Sequence, residues 1–154
     1  MTKENIREVY TDDAIVEAAA MIADERHIRD GKMTSPGDVR AYLRERMRPL
    51  QHEEFMVIFL DNHHQVIDAR AMFRGTIDAA SVYPREVARE VLTRGAAAVV
   101  IAHNHPSGNP APSQADIAMT ERLVEALALI DCRVLDHLII ADKRIVSLQE
   151  DNLM

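Results

Sequence analysis

The sequence predicts an α/β or α+β domain, with helices flanking one mixed β-sheet. Three observations lead there. Short apolar runs alternate with helix-length segments along the whole chain. The runs Phe55–Leu60 and Val66–Phe73 are separated by a short polar turn, as in a hairpin. Ala96–Ala102 (AAAVVIA) reads as a buried strand between two helical segments. At 154 residues the chain fits one domain, able to bury a core without disulfides or structural metals.

Residues 12–30 read as the first helix, capped by Asp12 or Asp13 and ended by Gly31, with a modest apolar stripe of Ile15, Ala18, Ala19 and Ile22. A second helix runs from Gly37 to Met47. Ser35 caps it, Pro36 takes its first helical position and Pro49 stops it. The continuous apolar run FMVIFL (55–60) is a strand buried on both faces, and Asp61–His64 turns it into the mixed strand 66–73. Pro84–Arg94 is a helix closed by Gly95, and the strand Ala96–Ala102 follows. Pro106–Pro112, with three prolines and a glycine, is a loop. Ser113–Leu129 is a long amphipathic helix with Ile117, Val124 and Leu127 among its apolar positions, and Cys132–Ala141 and Ile145–Leu148 close the sheet.

Composition narrows the function classes. The formal net charge is −7, so a broadly basic nucleic-acid footprint is absent; Arg40, Arg44, Arg46 and Arg48 read as a solvated helix face. Three Tyr, three Phe and no Trp are too few for a base-stacking platform. The single cysteine, Cys132, excludes a disulfide framework and a Cys-rich zinc site and suits a reducing compartment. Met1 leads into polar residues, and the longest apolar run is far short of a membrane span, so the expectation is a soluble, cytoplasmic chain with no membrane partner.

The chemistry concentrates in His103–Asp116 (HNHPSGNPAPSQAD), between a buried strand and a helix. His103 and His105 are two apart, so on an extended chain their imidazoles share a side. The loop is long enough to bring Asp116, on the first turn of the next helix, back over them. Two neutral imidazoles and a carboxylate leave a metal net positive with an open position, the arrangement of catalytic zinc sites. A blander reading stands beside it: Ser113-x-x-Asp116 is also an ordinary capping box, and the histidines fit a loop with local hydrogen bonds. Other zinc classes fail on spacing. There is no Cys-x-x-Cys for a deaminase and no His-Glu-x-x-His helix, Ser107 and Gly108 stand where a metallo-β-lactamase-like site needs Asp and His, and the chain is too short for an amidohydrolase barrel.

The order His-x-His, seven residues, Ser, two residues, Asp, formed here by His103, His105, Ser113 and Asp116, resembles the signature of the JAB/MPN (JAMM) metalloprotease-like domains. FMVIFLD (55–61), FRGTIDAASVYPREV (73–87), AHNHPSGNPAPSQAD (102–116) and RVLDHLII (133–140) are similar to the bacterial RadC branch. So is Asn104, which stands where JAMM proteins usually carry Ser or Thr. The resemblance implies an MPN/JAB-like fold over residues 34–154, preceded by a helical extension of residues 1–33 that is too short for the helix-hairpin-helix region of full-length RadC proteins. It implies Zn2+ on His103, His105 and Asp116, a general base from an upstream strand, and a serine, Ser113, that helps stabilise the oxyanion. By the pattern Glu-x-Phe the base is Glu53; from the residues alone Glu53 and Glu54 read as solvated strand-end charges.

The activity so implied is zinc-dependent hydrolysis of a peptide or isopeptide bond in a protein or peptide substrate. Two rivals stay open: a DNA-repair-associated accessory protein, against which the acidic balance counts, and a metal-bearing interaction module without peptidase activity. Cys132 reads as a small buried hydrophobe, His137 as a hydrogen-bonded core histidine, His63 and His64 as surface residues and the methionines as core filler, while His27 and His52 carry no signal.

Overall fold

The computed structural model describes residues 10–29, 31, 33–78 and 81–154; residues 1–9 of the expected extension, together with Asp30, Lys32, Ala79 and Ala80, lie outside the described residues, as does the side chain of His27. The order of elements is α1 (Asp12–Arg29), α2 (Pro36–Met47), β1 (Glu54–Leu60), β2 (Val66–Arg74), α3 (Pro84–Arg94), β3 (Ala98–Asn104), α4 (Gln114–Ala128), β4 (Arg133–Ile140) and β5 (Ile145–Ser147). The strands form one five-stranded sheet in the order β2-β1-β3-β4-β5. Only β3 and β4 are parallel; the other neighbours are antiparallel. The result is the mixed α+β sheet expected from the sequence.

Local chemistry sets the helix limits. Ser35 caps α2 by accepting from Asp38 N, and the Asp38 carboxylate accepts in return from Ser35 N. Gly95 ends α3 at φ 63°, a left-handed conformation that costs glycine little. In the β1–β2 hairpin, Asp61 Oδ1 accepts from His63 N and Gln65 N, which folds the turn while His63 and His64 stay exposed.

Every residue of β1 is buried, because each face of the sheet is covered. Met56, Ile58 and Leu60 pack with Tyr42, Leu43 and Met47 of α2. Phe55, Val57 and Phe59 pack with Val87 and Val91 of α3 and with Met119, Leu123 and Leu127 of α4. Side-chain alternation along one strand thus feeds two cores, which is why FMVIFL lacks a polar alternate position. Cys132 is buried in the second core.

Four readings shift. β3 begins two residues later than expected and runs through Asn104, because Ala96 N is spent closing α3 on Val91 O. The stripe expected on α1 is not a core stripe: Ile22 is 51% exposed, Ala18 and Ala19 are exposed, and the helix lies against the edge strand β2. In α4, Ile117 and Val124 are only partly buried, and Met119 and Leu123 carry the packing. Arg46 leaves the expected solvated face and turns inward, where Nη2 lies 2.9 Å from Glu54 Oε1. No helix among the described residues is long and apolar enough to cross a membrane.

Phe59 is fully buried, and Arg94, paired with Asp68 at 2.7 Å, lies over its ring at 4.6 Å from the centroid. Phe59→Ala removes the ring from the second core and the face on which Arg94 rests. It is expected to cost about 3–5 kcal/mol, read from the midpoint of a denaturant titration.

Candidate metal centre

The site forms at the C-terminal end of β3. His103 pairs with Phe55 of β1 and with Ile139 of β4, and His105 N donates to Ile140 O just beyond the strand. The chain therefore stays extended through both histidines, and their side chains leave the sheet on the face covered by α3 and α4. Ser113 caps α4, its Oγ accepting from Asp116 N at 3.0 Å, while Asp116 Oδ2 accepts from Ser113 N at 2.8 Å. That capping box aims the Asp116 carboxylate at the histidines.

His103 Nε2 and His105 Nε2 are 2.9 Å apart. Asp116 Oδ1 is 3.2 Å from the first and Asp116 Oδ2 is 3.3 Å from the second. Donors arranged tetrahedrally around a metal at zinc-like bond lengths stand about 3.3 Å from one another. These three donors therefore fit one ion and leave room for a fourth ligand. Among the described residues they form the one such cluster, with donor atoms all within 4.8 Å. The outer nitrogen of His105 supports the fit. Its Nδ1 is 2.8 Å from Asn109 O, and a carbonyl only accepts, so Nδ1 keeps its proton in either charge state and Nε2, the inward nitrogen, offers a lone pair once the ring is neutral.

The charges follow from this convergence. Burial alone would raise the Asp116 pKa, but its close contacts with the His103 and His105 imidazoles outweigh it and hold the carboxylate well below its usual range. The hydrogen bond to Asp116 raises the His105 pKa against the opposing effect of burial, with smaller contributions from Asn109 and the Glu53 charge. His137 stands behind His103 and outside the donor cluster; burial, and then the neighbouring His103 imidazole, depress its pKa well below that of a free imidazole.

Alternation separates the two glutamates. Glu53 lies two residues before Phe55, the residue opposite His103, and its carboxylate acts on His105; Oε2 accepts from Ile77 N at 2.6 Å. Glu54 projects to the other face, into the ion pair with Arg46. Ser113 is exposed and caps α4, and its hydroxyl proton is left uncommitted by the hydrogen bonds among the described residues.

The sequence reading missed what Asn104 does. Its Oδ1 accepts from Glu54 N at 2.7 Å and its Nδ2 donates to His52 O at 2.9 Å. One buried amide thus clips the segment bearing Glu53 to the end of β3. The cue was an amide side chain between the two histidines, but its partners lie some fifty positions upstream.

Two outcomes are expected. Asn104→Ala leaves Glu54 N and His52 O without their buried partner and should lower stability by about 1–3 kcal/mol in thermal unfolding. Metal uptake must displace the proton that His105 holds to a higher pH than a free imidazole, whose pKa is about 6.5. Metal affinity should therefore fall as the pH drops through that raised value, and more protons should be released on binding at the acid end. Calorimetric titration in buffers of different ionisation enthalpy reads this directly.

Comparison with known proteins agrees with the geometry. A model of the RadC-like JAB domain family matches residues 33–153. A UPF0758 protein of Marinobacter nauticus is 52% identical over 141 residues, which cover 92% of this chain and 63% of that protein. A UPF0758 protein of Vibrio cholerae is 50% identical over 136 residues, 88% of this chain and 85% of its own length. One of Xanthomonas campestris is 48% identical over 138 residues, 86% of this chain and 61% of its own. The chain thus spans about three fifths of the Marinobacter and Xanthomonas relatives and most of the Vibrio one. By the family match over most of its length and these identities, the chain belongs to the RadC-like JAB domain family.

Proposed function

We propose that this chain is a zinc-dependent hydrolase acting on a peptide or isopeptide bond in a protein or peptide. The observation that carries the reading is the meeting of two imidazole Nε2 atoms and one carboxylate beside Glu53. Two nitrogens and one oxygen with a position left over is the ligand pattern of catalytic zinc sites, not of structural ones. Zinc bound there supplies a Lewis acid and lowers the pKa of water to about 7.

The rest is work for the chain's own groups. The Ile77 N–H anchors Glu53 Oε2, which leaves Oε1 to take a proton from the attacking water and pass it to the leaving nitrogen. The Glu53 backbone is held as well, since its carbonyl accepts from Gly75 N at 3.0 Å. Ser113 Oγ accepts from Asp116 N, so its own O–H is available to donate to the oxygen on which charge develops. Capping and oxyanion stabilisation use opposite ends of one hydroxyl and are compatible. A net charge of −7 gives no support to direct nucleic-acid binding.

Glu53→Ala should keep the metal and lower hydrolysis of a cleaved peptide by about 10²–10⁴-fold. Glu54→Ala instead removes the Arg46–Glu54 ion pair, and its expected cost is about 1–3 kcal/mol of stability. Zinc content by mass spectrometry, cleavage of a peptide library and thermal unfolding of the two variants separate these effects. A metal-loaded protein that cleaves no peptide yet binds DNA tightly and salt-sensitively overturns the reading, and a fully active Glu53→Ala removes the base.

A further inference from the structure

Behind His103, away from the donor cluster, three polar groups are buried in succession. His103 Nδ1 is 2.7 Å from His137 Nε2, and His137 Nδ1 is 2.6 Å from Thr120 Oγ1. Thr120 Oγ1 is 2.7 Å from the main-chain oxygen of Asp116. His103, His137, Thr120 and Asp116 are each 2% exposed or less. The edge of the His137 ring meets Phe55, 6.1 Å between centroids at 76°, which holds the imidazole in place.

The protons along this chain can be assigned from one end. A carbonyl only accepts, so the Thr120 hydroxyl gives its hydrogen to Asp116 O. Its lone pair must then accept from His137 Nδ1–H. Neither ring nitrogen of His137 meets a carboxylate, so the buried ring is neutral and has a single N–H, already used on Thr120. His137 Nε2 is therefore a lone pair, and His103 Nδ1 must be the donor to it. The remaining nitrogen, His103 Nε2, carries no proton and faces His105 and Asp116. The circuit starts at the Asp116 carbonyl and ends at the Asp116 carboxylate, so a single residue of α4 bounds both ends.

We propose that Thr120 and His137 are positioning residues that lock His103 in its Nδ1–H tautomer, so that Nε2 is presented as a metal donor before any ion arrives. The inference rests on the metal reading of the His103–His105–Asp116 cluster. Ring partners of this kind orient metal-ligating histidines generally, and their loss typically costs about 10–100-fold in metal affinity.

The test uses the full chain with Co2+ and Zn2+ as probes, affinities measured by chelator competition and folding followed by circular dichroism. His137→Phe keeps the ring shape and Thr120→Val keeps the branched volume; each should lose about 10–100-fold in affinity while remaining folded. His137→Gln, which can accept from His103 and donate to Thr120, and Thr120→Ser, which keeps the hydroxyl, should restore most of it. Long-range 1H–15N spectra of the metal-free wild type should show the His103 proton on Nδ1. If His137→Phe fails to fold, Thr120→Val decides. Wild-type affinity in folded His137→Phe or Thr120→Val, a His137→Gln as weak as His137→Phe, or a proton on His103 Nε2 overturns the positioning role and leaves the metal site standing. A wild type that binds neither ion overturns the metal reading and this inference with it.

Discussion

The site depends on β3 being paired on both sides to its last residues. Antiparallel to β1 and parallel to β4, the strand has no freedom to twist away before His103. Side chains alternate with period two, so a slip of one residue would carry His103 to the α2 face and bring Asn104 under α4. The Asn104 amide opposes that slip by engaging the backbone of residues 52 and 54, which flank Glu53 at the entry to β1. Strand register, Glu53 and the histidine pair are therefore coupled through a single side chain.

Asp116 carries a second coupling. Its carboxylate completes the capping box of α4 and also faces both imidazoles. The cap is local and forms whenever the helix forms, so the Asp116 carboxylate is oriented as a by-product of starting the helix. The positive end of the helix also favours the ionised carboxylate. Two imidazole nitrogens 2.9 Å apart need a cation or a proton between them. Without a metal, part of that role falls to a proton on His105.

What the sequence disclosed was what depends on neighbours close in the chain. The hairpin turn at Asp61, the caps at Ser35 and Ser113, the Gly95 stop and the extended His-x-His segment are all set within five residues. The doubly buried β1 was legible because it lacks any polar alternate position. Features that rest on distant partners were not. The Arg46–Glu54 pair, the Asn104 clip and the link of His137 to Thr120 join positions 8, 50 and 52, and 17 residues apart, and nothing in their local patterns marks them. Glu53 and Glu54 look alike in sequence and were separated only by resemblance; in the fold, the pleat sends them to opposite faces.

The mixed topology explains why the site lies where it does. Two parallel neighbours need a crossover, and α4 supplies it between β3 and β4. A crossover helix must begin near the C-terminal end of the first strand and end near the N-terminal end of the second. The loop 106–112 makes that short return, so the first turn of α4 comes back over the end of β3. On its other side β3 meets the antiparallel β1, whose N-terminal end lies beside that same end. The carboxylate of a helix start, the imidazoles of a strand end and the glutamate of a strand start therefore meet at one edge. In a purely antiparallel sheet joined by hairpins, no helix start would be delivered there, so the parallel β3–β4 pair is the topological condition for Asp116 to meet the histidines.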